Sequence, residues 1–322
     1  MDLVQLKRFL VAAEAGNLRR AAGQLHVSQP ALTQSIKSLE QGLGVLLFAR
    51  SARGVALTPF GRALVPRARM MLSERERITR DMAEVGGGDA QRVSIGVAPY
   101  FSRQIFPAAV LRALAARPAL KVQIVERHTT ELVKLLQEGE IEFAFCVHNP
   151  AIDADDSLEF LATYEERYSI MARVGHPLLR RRRVKERDLA ACSWIVHDSS
   201  ATPGLLARHF ERRGLPAPPW SISTLSLPLM VSLLARSDLI ALLPEDFTRP
   251  EVAASRLRRL VGHGIDVRGQ AGIVVRREAV TGTAARELIA HLRAVCGETQ
   301  RAAGRRGGPQ TAAAQVRERE AS

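Results

Sequence analysis

Residues Asn17 to Glu40 constrain this chain more than any other stretch. They read Asn-Leu-Arg-Arg-Ala-Ala-Gly-Gln-Leu-His-Val-Ser-Gln-Pro-Ala-Leu-Thr-Gln-Ser-Ile-Lys-Ser-Leu-Glu. The spacing predicts two helices joined by a tight turn over 18–37. Leu3, Leu6, Phe9, Leu10 and Ala13 place a helix before them, over 3–15, with Gly16 to end it and Asn17 to cap the next. Leu18, Ala21, Ala22 and Leu25 form the inner face of the second helix. Its small alanines admit a close neighbour.

Ser28 suits the N-cap of a third helix, and Pro30 falls in its first turn, where a missing N–H costs little. Leu32, Ile36, Leu39 and Leu43 make its apolar side. The other side carries Gln29, Thr33, Gln34 and Lys37. Gln pairs with adenine edges, Thr bonds or touches a thymine methyl, and Lys reaches guanine or phosphate. Such a helix suits a DNA major groove. The plainer alternative is a solvated face. Leu46 to Thr58 then holds two short apolar runs around Ser51 to Gly54, a hairpin pattern with Arg50 and Arg53 at or near its tip. Beside a recognition helix, a hairpin is a wing, and its arginines suit phosphate or minor-groove contact.

The segment AAGQLHVSQPALTQSIKSLEQGLGVLLFARSARGVALTPFG resembles the DNA-binding domain of LysR-type transcriptional regulators. The likeness lies in the paired alanines, Ser28-Gln-Pro-Ala31, Leu39-Glu40, Leu43-Gly44, Leu47-Phe48-x-Arg50 and Leu57-Thr58-x-x-Gly61. Arg19-Arg20 stands where that family usually has a serine, and Thr33 where serine is commoner. On this resemblance residues 1–58 form a winged helix-turn-helix domain. Ser28, Gln29, Pro30, Thr33, Gln34, Lys37, Arg50 and Arg53 are its expected DNA contacts.

Thr58-Pro59 opens a further helix. Leu64, Ala68, Met71, Arg75, Ile78, Met82 and Val85 alternate four and three, a heptad seam broken only by Arg75. Either the helix packs on its own domain or a second subunit covers it. The resemblance favours the second, with Leu64, Met71, Ile78, Met82 and Val85 as dimer contacts. Gly86-Gly-Gly88 would end this linker at residues 59–88 and serve as a hinge.

From Arg92 the pattern reads β-α-β-α-β: strands at 93–97, 121–126 and 141–147, helices at 105–117 and 131–138. Parallel strands covered by helices follow from that order. Near Leu158 to Ala172 the chain passes to a second such unit, with segments at 193–197, 205–213, 221–224, 229–236 and 239–242. A strand at 270–276 and a helix at 284–295 return to the first. Two such lobes make a cleft at the strand C-termini. This half resembles the periplasmic-binding-protein-like effector domain of the same family, through the IGV, FPAAVLRAL and ELVKLLQEGEIEFAF runs, His176-Pro-Leu178 and Ala241-Leu-Leu-Pro244.

The fold expected is therefore multidomain α plus α/β: a winged helix-turn-helix, a long linker helix, and a two-lobed α/β domain of the type 2 periplasmic-binding-protein kind over 92–297. Lobe I would span about 92–163 and 268–297, and lobe II about 164–267. By position the cleft residues are Pro99, Tyr100, Phe101, Ser102, Thr129, Thr130, Val147, His148, Ser199, Ser200, Thr202, Thr224 and Ser226. Helix-start N–H groups and hydroxyls suit a small carboxylate or other polar anion. The plainer reading makes these caps and turns.

With 322 residues the chain can hold two or three domains. A net charge of +13 favours a polyanionic partner, yet residues 1–60 carry only seven Lys/Arg against three Asp/Glu, so the basic charge is spread. Cys146, Cys192 and Cys296 are too few and too far apart for a disulfide framework or a zinc site, and they fit a reducing cytoplasm. The first residues lack a signal-peptide pattern, and no apolar run is long enough for a membrane helix. No nucleophile, metal-ligand or phosphate-loop motif is present, which argues for sensing over catalysis and for no cofactor. An architectural DNA protein without a ligand remains the third class. The expected partners are promoter DNA, a small-molecule effector, a second copy of the chain as dimer or tetramer, and RNA polymerase, with no membrane. Residues 299–322 lack apolar periodicity and read as a disordered tail.

Overall fold

A computed structural model describes residues 1–51, 54–85, 92–198, 202–277 and 282–306. Its N-terminal unit follows from local capping and two small apolar clusters. Asp2 caps α1 (Leu3–Ala15) in a reciprocal box with Gln5. Gly16 closes α1 in the left-handed region at φ 60°. Asn17 caps α2 (Leu18–Gln24), and Ser28 caps α3 (Gln29–Leu43). Leu6, Phe9, Leu39 and Leu47 form one cluster; Ala12, Ala21, Ala22, Leu32 and Ile36 form the other. Strands β1 (Phe48–Ser51) and β2 (Gly54–Leu57) pair antiparallel, with Ser51 opposite Gly54.

Helix α4 (Pro59–Val85) starts on Thr58, whose Oγ1 accepts from the Gly61 N–H at 3.0 Å. Its first half packs on its own domain, which corrects Leu64 as an expected dimer contact. Ala68 is fully buried, and Leu64, Val65 and Leu72 pack against the Leu6–Phe9 cluster, because α1 presents its apolar side there. Leu64 is thus occupied inside its own subunit. Met71, Ile78 and Met82 are 39%, 54% and 61% exposed. The side chain of Val85 and the glycines at 86–88 lie outside the described residues.

The C-terminal half comprises β3 (Arg92–Val97), α5 (Ile105–Ala116), β4 (Lys121–Glu126), α6 (Thr129–Gln137), β5 (Phe143–Val147), α7 (Pro150–Asp153) and β6 (Leu158–Arg173). There follow α8 (Glu186–Ala190), β7 (Trp194–His197), α9 (Thr202–Glu211), β8 (Trp220–Thr224), α10 (Leu227–Leu234), β9 (Ala241–Pro244), α11 (Glu245–Ala253), β10 (Leu257–Arg259), β11 (Val267–Arg276) and α12 (Thr283–Arg306). A seven-stranded sheet runs β10-β6-β11-β5-β3-β4, with β9 also on β6. β3 is parallel to β4 and β5, as the β-α-β order requires. β11 is antiparallel to both β5 and β6. β7 and β8 form a parallel pair, tied to the sheet's neighbourhood by a Trp194–Ile240 bridge.

The two lobes have separate cores. The first gathers Ile95, Phe143, Phe145, Leu132 and Leu288. The second lobe holds two clusters, around Trp194 and Phe210 and around Met230 and Phe247. β6 and β11 belong to both lobes. The passage expected near 158–172 is in fact one 16-residue strand. Its burial alternation is uneven because its two halves face different cores, so no single period shows in the sequence. Residues 299–306, expected in the tail, continue α12. Ala, Arg and Gln there favour a helix already nucleated upstream. The rest of that tail lies outside the described residues.

Candidate nucleic-acid interface and ligand cleft

Helix α3 divides its sides as groove reading requires. Leu32, Ser35, Ile36 and Leu39 are buried, whereas Ser28, Gln29, Pro30, Gln34 and Lys37 are exposed. Thr33 is half-buried, and its Oγ1 donates to the Gln29 carbonyl at 2.9 Å. That donor is spent on the helix backbone. Ser28 Oγ accepts from the Ala31 N–H at 3.3 Å, so it caps the helix.

The wing is held from two directions. Glu40 Oε1 accepts from the backbone N–H of Leu47 at 2.8 Å and of Phe48 at 3.2 Å. Glu40 is therefore a wing-positioning residue that apolar spacing did not reveal. Val55 N–H donates to the Gly16 carbonyl at 3.0 Å, and a Cβ on Gly54 would lie 2.4 Å from that same oxygen. Gly54 also sits at φ 136°, so the close approach and the backbone both require glycine. Arg53 and the side chain of Arg50 lie outside the described residues.

Between the lobes lies a cavity of about 760 Å³. Pro99, Ser102 and Ser226, expected at the cleft, line it. The other expected residues that are described are placed differently. Phe101 is buried in lobe I, edge-on to Phe145. Tyr100 sits between His197 and Phe247, tilted on the first at 5.3 Å and edge-on to the second at 5.7 Å between ring centroids. Thr129 turns its hydroxyl to Cys146, while Thr130 is exposed and outside the cavity wall. Burial pushes the Cys146 thiol up to about 12, with the Thr129 contact acting the other way. Val147 is half-buried at the end of β5. His148 pairs with Asp153 at 3.0 Å and lies edge-on to Phe160. Thr224 accepts from the Ser226 N–H at 3.0 Å, closing the turn into α10. Ser199 and Ser200 lie outside the described residues, as does the side chain of Thr202.

Charged residues complete the wall. Arg103, Arg127, Arg256 and His128 face Glu126, Glu131 and Glu251. Glu251 of α11 is buried and accepts from Arg103 at 2.9 Å, with Arg256 at 4.0 Å. Arg103 also lies over the Phe247 ring at 5.1 Å. Together with Gln104 Nε2, which donates to the Asp246 carbonyl at 2.7 Å, Arg103 ties the start of α5 to α11 across the lobes. On the opposite side His128 of lobe I meets His197 of lobe II edge-on at 5.1 Å. Burial lowers the His197 imidazole below its ordinary value, and His128 adds to the effect. These side chains come from loops, helices and strand ends that only the fold brings together, so spacing alone gave no sign of them.

Among the described residues no cluster of three or more His, Cys, Asp or Glu could hold a metal. No described helix is long and apolar enough to cross a membrane.

Comparison with known proteins matches both halves to one family. Residues 3–62 match the bacterial regulatory helix-turn-helix protein, lysR family, and residues 86–297 match the LysR substrate binding domain. An SDS degradation transcriptional activation protein of a Pseudomonas species is 31% identical over 80% of this chain and 84% of its own length. The regulator PcaQ of Agrobacterium fabrum is 28% identical over 91% and 94%. Among solved structures, ArgP from Mycobacterium tuberculosis superposes with a TM-score of 0.69 at 19% identity, covering 92% of this chain and 97% of ArgP. CbnR in complex with its target DNA gives 0.64 at 23%, covering 92% and all of CbnR. LysG of Corynebacterium glutamicum with bound effector Arg gives 0.63 at 18%, covering 92% and 99%. The order of the two matched halves is that of the two units described above, and the chain belongs to the LysR-type transcriptional regulators, with an N-terminal DNA-binding helix-turn-helix and a C-terminal substrate-binding domain.

Proposed function

We propose that this regulator reads a partly palindromic promoter site on double-stranded DNA through α3 and the wing, and that a small anionic molecule held between the lobes sets its output. The observation that carries the DNA reading is the polar strip of Gln29, Gln34 and Lys37, exposed opposite the buried Leu32–Ile36–Leu39 side of α3. Arg50 and Arg53 would add backbone contacts at the wing. CbnR solved with its target DNA supports this division of labour. The exposed Met71, Ile78 and Met82 support pairing along α4, as a dimer or two dimers. Acting at promoters places the protein in the cytoplasm with RNA polymerase as a partner.

The anionic ligand is supported by the balance of the cleft. Glu251 is held closely by Arg103, whereas Arg256 lies 4.0 Å from Glu251 and Arg127 4.0 Å from Glu131, long pairs that a bound anion can exchange beside the N-terminal ends of α6 and α10. LysG with bound effector Arg supports the cleft domain as a ligand receiver. A thermal-shift screen of metabolite carboxylates, with amine and amide counterparts as controls, tests the reading. A ligand that binds only the folded protein raises the transition by mass action. Carboxylates should stabilise and should alter promoter binding in gel shift. Stabilisation by amines alone would reject the anion, and a hit without effect on DNA would reject control through the cleft.

A further inference from the structure

The lobes close over a buried acid that neither DNA reading nor ligand binding uses. Glu166 lies in the middle of β6 and is 2% exposed. It lines a cavity of about 10 Å³, room for about one water. Tyr100, Phe101, Gln104 and Ile105 of lobe I form one wall, and Asp246 and Phe247 of α11 form the other. This cavity is the seam between the lobes. It is sealed by the Gln104–Asp246 hydrogen bond, the Arg103–Glu251 ion pair and the Tyr100–Phe247 ring contact.

Glu166 has one hydrogen bond from a side chain, and the groups around it come from four elements. From β6, the Tyr168 hydroxyl donates to Glu166 Oε2 at 2.8 Å, and Tyr164 closes the cavity floor. From α5 and the turn before it come Tyr100 and Gln104. From α11 comes Asp246, whose charge is paired with Arg249. On β11 the residue opposite is Gly269, which brings no charge. None of the residues lining the cavity is a cation. A carboxylate with one hydroxyl donor and no cation is costly in such a place, whereas the neutral acid is tolerated. Parting α11 from Tyr100 and Gln104 would admit water and remove that cost.

We propose that Glu166 is a proton-operated lock on the inter-lobe seam: closed lobes hold it as the carboxylic acid, and its ionisation frees α11 and opens the cleft. The regulator would then report acidity as well as a ligand. Burial pushes Glu166 up to about 7, although the Tyr168 hydrogen bond favours the ionised form. The closed state therefore gains its full advantage below the ordinary value of 4.5 and loses it as pH rises through about 7. Asp246 is also raised by burial, to about 6, so the two acids must be separated by experiment. The lock needs no ligand, so its failure and that of the proposed effector are distinct.

The test uses the full chain without ligand. Hydrogen exchange, corrected for the chemical rate, is read in peptides covering 99–105 and 244–250. Wild-type protection should fall about tenfold between pH 6 and pH 8, by proton linkage. Glu166→Gln should give a flat profile, and Asp246→Asn should keep the wild-type slope. Infrared difference spectra of wild type against Glu166→Gln should show a protonated carboxyl vanishing near neutral pH. Tyr168→Phe removes the donor that favours ionisation and should move that midpoint upward. Equal exchange profiles for wild type and Glu166→Gln, or loss of the slope in Asp246→Asn, would overturn the lock. If Glu166→Gln does not fold, the Tyr168→Phe midpoint decides, and an unmoved midpoint rejects the proposal.

Discussion

Arg69 of α4 pairs with Glu138, just past the end of α6, at 2.7 Å, while its other terminal nitrogen holds Glu14 of α1 at 2.8 Å. One guanidinium thus joins the DNA-binding unit, the linker helix and lobe I. Glu138 is buried at 4% exposure, and the adjacent Gly139 carbonyl accepts from Ser73 Oγ of α4. Burial lowers the Arg69 pKa, but the two carboxylates outweigh it and the net shift is upward. The start of α6 lies by the ligand cleft at His128, so a single helix spans from the cleft to this junction.

Removing that guanidinium leaves Glu138 buried without its cation. Arg69→Ala should destabilise the chain by roughly 1–3 kcal/mol, and Arg69→Ala with Glu138→Gln should recover part of the loss. Urea unfolding of the two single variants and the double variant measures the coupling. Strict additivity would show that the pair is not an energetic link.

At the recognition helix, Gln34→Ala should lower specific promoter affinity by roughly 1–3 kcal/mol and leave non-specific binding nearly unchanged. Thr33→Val should change specific affinity little, because its hydroxyl proton already goes to the Gln29 carbonyl. Gel shifts on specific and scrambled DNA separate the two. A large loss in Thr33→Val would mean the hydroxyl turns to a base on binding.

The wing depends on one close contact. Gly54→Ala would place a Cβ against the Gly16 carbonyl and strain the backbone at φ 136°. The variant should weaken DNA binding and cost roughly 1–3 kcal/mol of stability. A variant with full affinity and an unchanged melting temperature would show that the hairpin shifts without consequence.

Along α4, Ile78→Asp places a charge on the exposed Met71–Ile78–Met82 strip. Light scattering should show loss of the oligomer, and promoter binding should weaken because two half-sites are no longer read together. A charged face that merely meets water would leave the mass unaltered. Leu64→Asp should instead unfold the N-terminal unit, since Leu64 packs inside it.

The N-terminal unit was legible because its signals are local. Asn17, Ser28 and Gly16 act within one turn of their own positions, and the Leu32–Ile36–Leu39 spacing marks the buried side of α3 without reference to any other segment. The β-α-β order of lobe I was legible for the same reason, since each helix and strand there carries its own period. Only the tertiary structure decided what depends on contacts distant in sequence. β6 is one strand serving two cores, so it has no single period to read. Arg103 meets Glu251, and Glu166 meets Tyr100 and Asp246, across 66 to 148 positions of sequence, brought together when the shared strands set one lobe against the other. Thr129 looked like a cleft hydroxyl from its place at a helix start, yet its rotation on α6 turns it to Cys146. Local composition sets which helices and strands can form; which side chains face each other depends on packing that no short window contains.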